Sequence, residues 1–246
     1  NEIVNENPLQ NKSYYLHVPN VGAGIGHQMS NFISGYHYAK AFGLTYIYSP
    51  FTDKKWEEFL GFGQGQLRIE DIDHKKYKKI LIPFFDDEEK WAMARNIVDS
   101  YSDKKVIFKP ELDQFYQKQY DVIPFMKSQF EKAPARKNDH LIFDENETNL
   151  ALHIRRGDIT KGQSNGDKTL TKRWLDLDYY ERVMEYLTEN IKIDKPVHIY
   201  LFTQDEDDYS RFDRFGKVTL CLDMSAMDSF LHMVRADILV ISKSYC

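Results

Sequence analysis

The second half of the chain alternates short apolar runs with stretches of helical period, and this alternation limits the fold more than any other feature. Residues 150–154 (LALHI), 197–202 (VHIYLF), 218–222 (VTLCL) and 238–241 (ILVI) read as strands. Between them, 177–191 puts Leu177, Tyr180, Val183, Met184 and Leu187 on one helical face. A short helix is expected over 207–212, and another carries Met227, Phe230, Leu231 and Val234 on one side. Repeated strand–helix alternation implies parallel sheets with helices packed on their faces.

The first half follows the same logic less regularly. Residues 14–18 predict a strand, 19–26 a glycine-rich loop, and a helix is expected from about Gln28 with Met29, Phe32, Ile33, Tyr36, Ala39 and Phe42 inward. Gly43 stops that helix and 44–48 (LTYIY) makes the next strand, so 14–48 reads as a βαβ unit. Further strands are expected at 79–85 and 105–108, with a helix over 87–100 between them. Pro110 opens a helical stretch from Glu111 to about Lys132, kinked or broken at Pro124. Residues 1–12 are polar, and 133–149 is the best linker. The expected architecture is α/β, with two Rossmann-like parallel-sheet domains over 1–135 and 136–246. The last strand lacks a covering helix after it, so truncation near the C-terminus is expected.

Composition removes several function classes. A net charge of −5 argues against a general nucleic-acid surface. No apolar run approaches the ~20 residues of a membrane span. Cys221 and Cys246 are too few for a disulfide framework, and Cys221 sits in an apolar strand as a small hydrophobe. Acidic triplets at Asp71–Asp73, Asp176–Asp178 and Asp205–Asp207 lack a spacing that demands a metal; Asp176 and Asp178 read as helix-start acids. Sequons at Asn11 and Asn146, and the tripeptide Arg156-Gly157-Asp158, are too short to decide anything. His37, His198 and His232 lie on apolar elements, and Trp56, Trp91 and Trp174 read as packing residues, Trp174 with reach to a sugar.

Two motifs carry chemistry. Gly22-Ala23-Gly24-Ile25-Gly26-His27-Gln28 joins a strand to a helix, where glycines admit a ligand and the helix start offers N–H groups to an anion. His27 stands where a dinucleotide fingerprint wants glycine, and Ser49-Pro50 where it wants an acid. The sharper signal is His153-Ile154-Arg155-Arg156-Gly157-Asp158 at the carboxyl end of a buried strand, the place where open α/β sheets bind ligands. Strand alternation turns one arginine inward, and a guanidinium facing a crevice matches a phosphate.

In this order the two motifs resemble the fucosyltransferase superfamily that uses GDP-fucose, with its α1,2-, α1,6- and protein O-fucosyltransferases. Ile199–Asp205 is similar to that family's strand ending in Thr/Ser-Asp, and Asp228–Ser244 to its last helix–strand–serine element. His27 departs from the family's glycine loop, whereas Gln28 agrees with it. The resemblance implies a GT-B-like fold with the donor held mainly by the C-terminal domain. It assigns the diphosphate to Arg155, with Arg156 beside it, and places His153 near the nucleotide. It sets Asp228 at the guanine, Ser242 and Ser244 at the phosphates, and Gly24, Gly26 and His27 at the pyrophosphate.

The implied reaction is an inverting, metal-independent transfer of L-fucose, or another sugar, from a nucleotide sugar to a glycan or other hydroxyl acceptor. No cofactor beyond the donor is expected. Asp158 is the first candidate base and Asp167 the reserve, since Gln163 cannot take a proton. Alternatives are a transferase using another nucleotide sugar, an NAD-dependent oxidoreductase, and a non-catalytic nucleotide- or carbohydrate-binding module. The expected location is cytoplasmic, or else lumenal as the ectodomain of an anchored enzyme.

Overall fold

Among the described residues, eight short strands build two separate sheets of four, every neighbouring pair parallel, the two inner strands of each sheet mostly buried and the edge strands part-exposed. The computed structural model describes residues 13–85, 87–111, 118–222 and 224–242. The chain divides after Lys137, inside the polar stretch 133–149, into two units. Residues 1–12 and 243–246, Ser244 among them, lie outside the described residues.

The first unit runs β1 (Tyr14–Leu16), α1 (Ile25–Phe42), β2 (Thr45–Ile47), α2 (Lys54–Leu60), β3 (Lys78–Ile82), α3 (Glu88–Asp99), β4 (Val106–Pro110) and α4 (Ile123–Lys132). Its sheet order is β2-β1-β4-β3. Gly43 ends α1 in the left-handed region at φ 72°, which only glycine adopts without strain. Alternate residues separate two cores: Tyr15, Val106 and Phe108 pack with Tyr38, Phe42 and Val98, while Tyr14, Leu16 and Ile107 pack against Leu67, Ile69 and Ile72.

Three expectations here need correction. The inward stripe of α1 carries Gln28, Asn31, Ser34 and Gly35 beside Phe32, Tyr38, Ala39 and Phe42, while Met29, Ile33 and Tyr36 are only half-buried. Polar residues turn inward because the preceding loop needs partners: Gln28 Nε2 donates to Ala23 O at 2.8 Å and Asn31 Oδ1 accepts from the Asn20 N–H at 2.9 Å. Pro110 closes β4 instead of opening a helix. Pro124 sits in the first turn of α4, where its missing N–H costs nothing, so it starts the helix rather than kinking it. Of the expected helix over 111–132, residues 112–117 lie outside the described residues.

The second unit runs β5 (Thr148–His153), α5 (Gly157–Ser164), α6 (Lys168–Thr171), α7 (Leu177–Asn190), β6 (Val197–Phe202), β7 (Lys217–Cys221), α8 (Ala226–Arg235) and β8 (Ile238–Val240). Its order is β7-β6-β5-β8. Leu150, Leu152, Ile199 and Leu201 face Tyr180 and Met184 of α7, and the alternate residues Ala151, Tyr200 and Phe202 face the other core with Met233. The short helix expected at 207–212 is a 3-10 turn at Ser210–Phe215. On α8 Val234 is exposed and His232 is buried instead. The His232 Nε2 accepts from the Ile142 N–H at 3.1 Å and its Nδ1 lies 2.7 Å from the Asp228 carbonyl oxygen, so the ring is fully partnered inside the core. Cys221 is a free, buried thiol whose pKa burial pushes up to about 11, consistent with an inert hydrophobe.

Candidate functional site

In the second sheet β5 is the first strand, with β6 and β7 laid out on one side and β8 returning on the other. The reversal between β5 and β8 is a topological switch point, where the chain segments leaving the strands diverge and open a crevice. Three strands of this sheet deliver polar residues to that carboxyl edge: Arg155 and Arg156 after β5, Asp205 after β6 and Ser242 after β8.

The crevice floor is stitched by one hydroxyl. Ser242 Oγ donates to the His153 carbonyl at 2.9 Å and accepts from the Arg155 N–H at 2.7 Å. The Tyr180 hydroxyl lies 2.8 Å from the same oxygen. A serine hydroxyl has one proton and two lone pairs, and all three are spent here. Ser242 therefore clasps β5 to β8, at the same edge where its expected phosphate contact would lie. Ser244 lies outside the described residues.

The two arginines part company. Arg155 follows the carboxyl end of β5 and forks onto Asp158, Nε to Oδ1 at 3.1 Å and Nη2 to Oδ2 at 2.5 Å. This pair is part-exposed, 26% for the arginine side chain and 46% for the carboxylate. The hydrogen-bonded Arg155 guanidinium, helped by the Ile159 N–H and Arg173, holds the Asp158 carboxyl below its ordinary pKa. Burial, with Arg155 nearby, lowers the pKa of His153 and favours the neutral ring.

Arg156 is the residue that turns in, 1% exposed. Its Nη1 donates to the Arg155 carbonyl at 3.2 Å and its guanidinium carbon lies 3.8 Å from the centroid of the Trp174 ring. Its Nε stands 3.5 Å from Asp205 Oδ2, an ion pair without hydrogen-bond geometry. Asp205 is itself fixed: its Oδ1 accepts from Thr203 Oγ1 at 3.0 Å and from the Tyr209 hydroxyl. Burial and the bond to Asp205 raise the pKa of Tyr209, so that phenol remains a donor. Thr203, Asp205 and Tyr209 are the site residues that sequence reasoning left without a role, while Tyr180 was read only as a core residue and Trp174 as a packing residue with reach to a sugar. The signal that pointed to two of them was the strand ending Thr203-Gln204-Asp205.

The remaining candidates fall elsewhere. Asp228 is an exposed residue in the first turn of α8; its Oδ2 accepts from Ser225 Oγ at 2.6 Å and its N–H donates back at 3.1 Å. Asp167 Oδ1 accepts from the Leu170 N–H at 3.1 Å at the start of α6. Gly24, Gly26 and His27 belong to the first unit, at the start of α1, where a Cβ on either glycine would meet open space. Because Arg156 is buried, Arg156-Gly157-Asp158 is not displayed as an exposed tripeptide. Among the described residues, no three His, Cys, Asp or Glu side chains gather so as to hold a metal ion, and no helix is long and apolar enough to cross a membrane.

No protein-family model matches the sequence, and no curated protein matches it. Among solved structures, the NodZ alpha-1,6-fucosyltransferase soaked with GDP-fucose is 13% identical, with 94% of this chain and 88% of that chain covered and a TM-score of 0.44. The same enzyme co-crystallised with GDP is 12% identical over the same shares, 94% and 88%, again at 0.44. Its selenomethionine form from Bradyrhizobium gives 13%, with 93% and 87% covered, at 0.44. At such identity and overlap, chemistry has to be argued from the residues themselves.

Proposed function

We propose that the chain is a glycosyltransferase that binds the diphosphate of a nucleotide sugar at the carboxyl edge of its second sheet. The observation that carries this reading is the pair Arg155–Arg156 at the β5/β8 switch point, one guanidinium buried, the other part-exposed and forked onto the half-exposed Asp158 carboxylate. A diphosphate offers Arg155 more charge than Asp158 does, in the same fork geometry. The resemblance of the glycine-loop and His-Ile-Arg-Arg-Gly-Asp motifs to the GDP-fucose-dependent superfamily selects GDP-fucose as the proposed donor.

The reaction is a single inverting displacement. An acceptor hydroxyl oxygen forms a bond to the anomeric carbon as the bond from that carbon to the diphosphate oxygen breaks. The diphosphate leaves with its charge met by Arg155 and Arg156, which removes the need for a divalent cation. The acceptor proton passes to a carboxylate. Asp158 serves once the diphosphate has drawn Arg155 away, because losing the largest cause of its lowered pKa raises its proton affinity. Asp167 is the reserve.

Incubation with GDP-fucose, GDP-mannose, UDP-sugars and NAD, with released nucleotide measured with and without EDTA, tests the reading. GDP release from GDP-fucose that EDTA does not affect is expected. Binding of NAD alone, or of no nucleotide, overturns it; activity abolished by EDTA and restored by Mn²⁺ overturns the metal-independent step.

A further inference from the structure

Beside the arginines, the second unit holds an open cavity of about 590 Å³. Arg156 and Trp174 line it from the strand side, and Asp176, Asp207, Asp208 and Ser210 complete it from the starts of α7 and the 3-10 turn. The volume falls within the range of small-molecule sites, roughly 300–1,000 Å³.

The chemistry of the walls narrows what can occupy it. Asp176, Asp178, Asp207 and Asp208 repel an anion, and Arg211, the other cation there, is engaged by Asp178 at 2.6 Å and Glu181 at 3.3 Å. An apolar ligand would desolvate those carboxylates without compensating them. Two carboxylates are half used: Asp176 Oδ1 accepts from Trp174 Nε1 at 2.9 Å and Asp207 Oδ1 from the Asp208 N–H at 2.8 Å, leaving each Oδ2 able to accept. The buried Arg156 adds an Nε that makes no hydrogen bond. A rigid ring that presents hydroxyl donors to carboxylates, acceptor oxygens to a guanidinium and a C–H face to an indole satisfies this set, and that ring is a pyranose.

We infer that this cavity is a saccharide subsite, with Asp176 and Asp207 accepting from sugar hydroxyls beside the Trp174 ring. The inference rests on the transferase reading, because Arg156 joins the cavity to the proposed diphosphate site. The sugar is either that of the donor or that of the acceptor.

Asp207→Ala separates the two sources and tests the inference. GDP, GDP-fucose and, on GDP-saturated protein, lactose and N,N′-diacetylchitobiose are titrated by calorimetry. The Trp174 indole N–H is followed by NMR and assigned with Trp174→Phe. Expected is a loss of about tenfold or more for a sugar-bearing ligand, with GDP affinity within about twofold. A loss confined to GDP-fucose assigns the donor sugar; a loss confined to the disaccharides assigns the acceptor. An unchanged affinity for all of them in folded Asp207→Ala, or a panel in which no sugar-bearing ligand shifts Trp174 beyond the shift from GDP, overturns the inference. Absence of any GDP binding overturns the transferase reading instead, and disaccharide binding sensitive to Asp207→Ala would then leave a saccharide site standing.

Discussion

The two sheets set their fourth strand beside their first, β4 against β1 and β8 against β5, yet they finish the resulting crevice in opposite ways. In the first unit the crevice stays open as a cavity of about 340 Å³ lined by His17, Asn20, Lys109 and Glu111 among others. Behind it, helix α1 is fixed mainly by ring contacts, with Phe32 within 5.1–6.1 Å of Phe62, Tyr48 and Tyr46. In the second unit the crevice floor is closed by the Ser242 clasp and its walls are held by charge. Aromatic packing tolerates small shifts, whereas a network of hydrogen bonds and ion pairs fixes side chains at set positions. The second design suits a site that must hold charge in register, and it makes the edge sensitive to polar substitutions.

The largest test of that contrast is Arg156→Ala. It strands Asp205 in a partly buried site, so a stability loss on the order of 3 kcal/mol is expected in urea denaturation, together with loss of GDP binding. Arg155→Ala removes a part-exposed pair and should cost about 0–1 kcal/mol while weakening GDP by roughly 10–150-fold. Equal stability losses for the two would erase the distinction between a framework arginine and a ligand-facing one.

Ser242→Ala comes next. Three partners lose their common atom, and about 1–3 kcal/mol of stability should go, read as faster hydrogen exchange confined to β5 and β8. Unchanged exchange would restore a ligand-contact role for this serine. In the first unit the matching probe is steric. A Cβ at Gly35 would lie 2.7 Å from His17 Cβ and 2.8 Å from Tyr46 Cε2. Overpacking of about 1–3 kcal/mol is then offset by about 1 kcal/mol of helix propensity, so Gly35→Ala should be mildly destabilising where an exposed helical glycine would gain.

The smallest effect is on pH. Asp158 has a folded pKa below its unfolded value of about 3.9, so its pairing with Arg155 stabilises the fold above that value. The contribution is lost as pH falls through the folded pKa. Asp158→Asn should remove this part of the acid limb while changing stability at pH 7 by less than about 1 kcal/mol. An acid limb identical to wild type would show that the pair contributes nothing.

Much of the fold could be read from the chain because the inner strands of both sheets are buried on both faces and α7 and α8 carry clear apolar stripes. The exceptions share a cause. In α5 only Ile159 and Gly162 are buried, so GDITKGQS shows no apolar stripe. Its start is fixed by Arg156 and by a contact with the loop after β6. In α2 the signals were present, with Asp53 accepting from the Lys55 N–H at 2.8 Å and Gly61 left-handed, but seven residues give too few turns for a period. At the site, strand position identified the arginines and alternation required one to be buried. Which partner each arginine takes depends on residues 49 positions away in the chain for Asp205, and only three away for Asp158. In sequence the run Asp205-Glu206-Asp207-Asp208 looks like any solvated acidic stretch. The serine clasp was unreadable because serine's three hydrogen-bonding valences look the same whether spent on a ligand or on the chain.

Gly157 ties two of these pieces into one heritable unit. A Cβ built there would lie 2.0 Å from Gln204 Oε1, and Gln204 sits between the Thr203 and Asp205 that hold Arg156. Gln204 is exposed and the atoms in the way are the free end of its side chain, so a side chain at position 157 displaces that amide into solvent without moving the backbone. Drift at these positions, 47 residues apart, is therefore loosely paired: a library randomised at both should favour small or flexible residues at 204 wherever 157 carries a side chain.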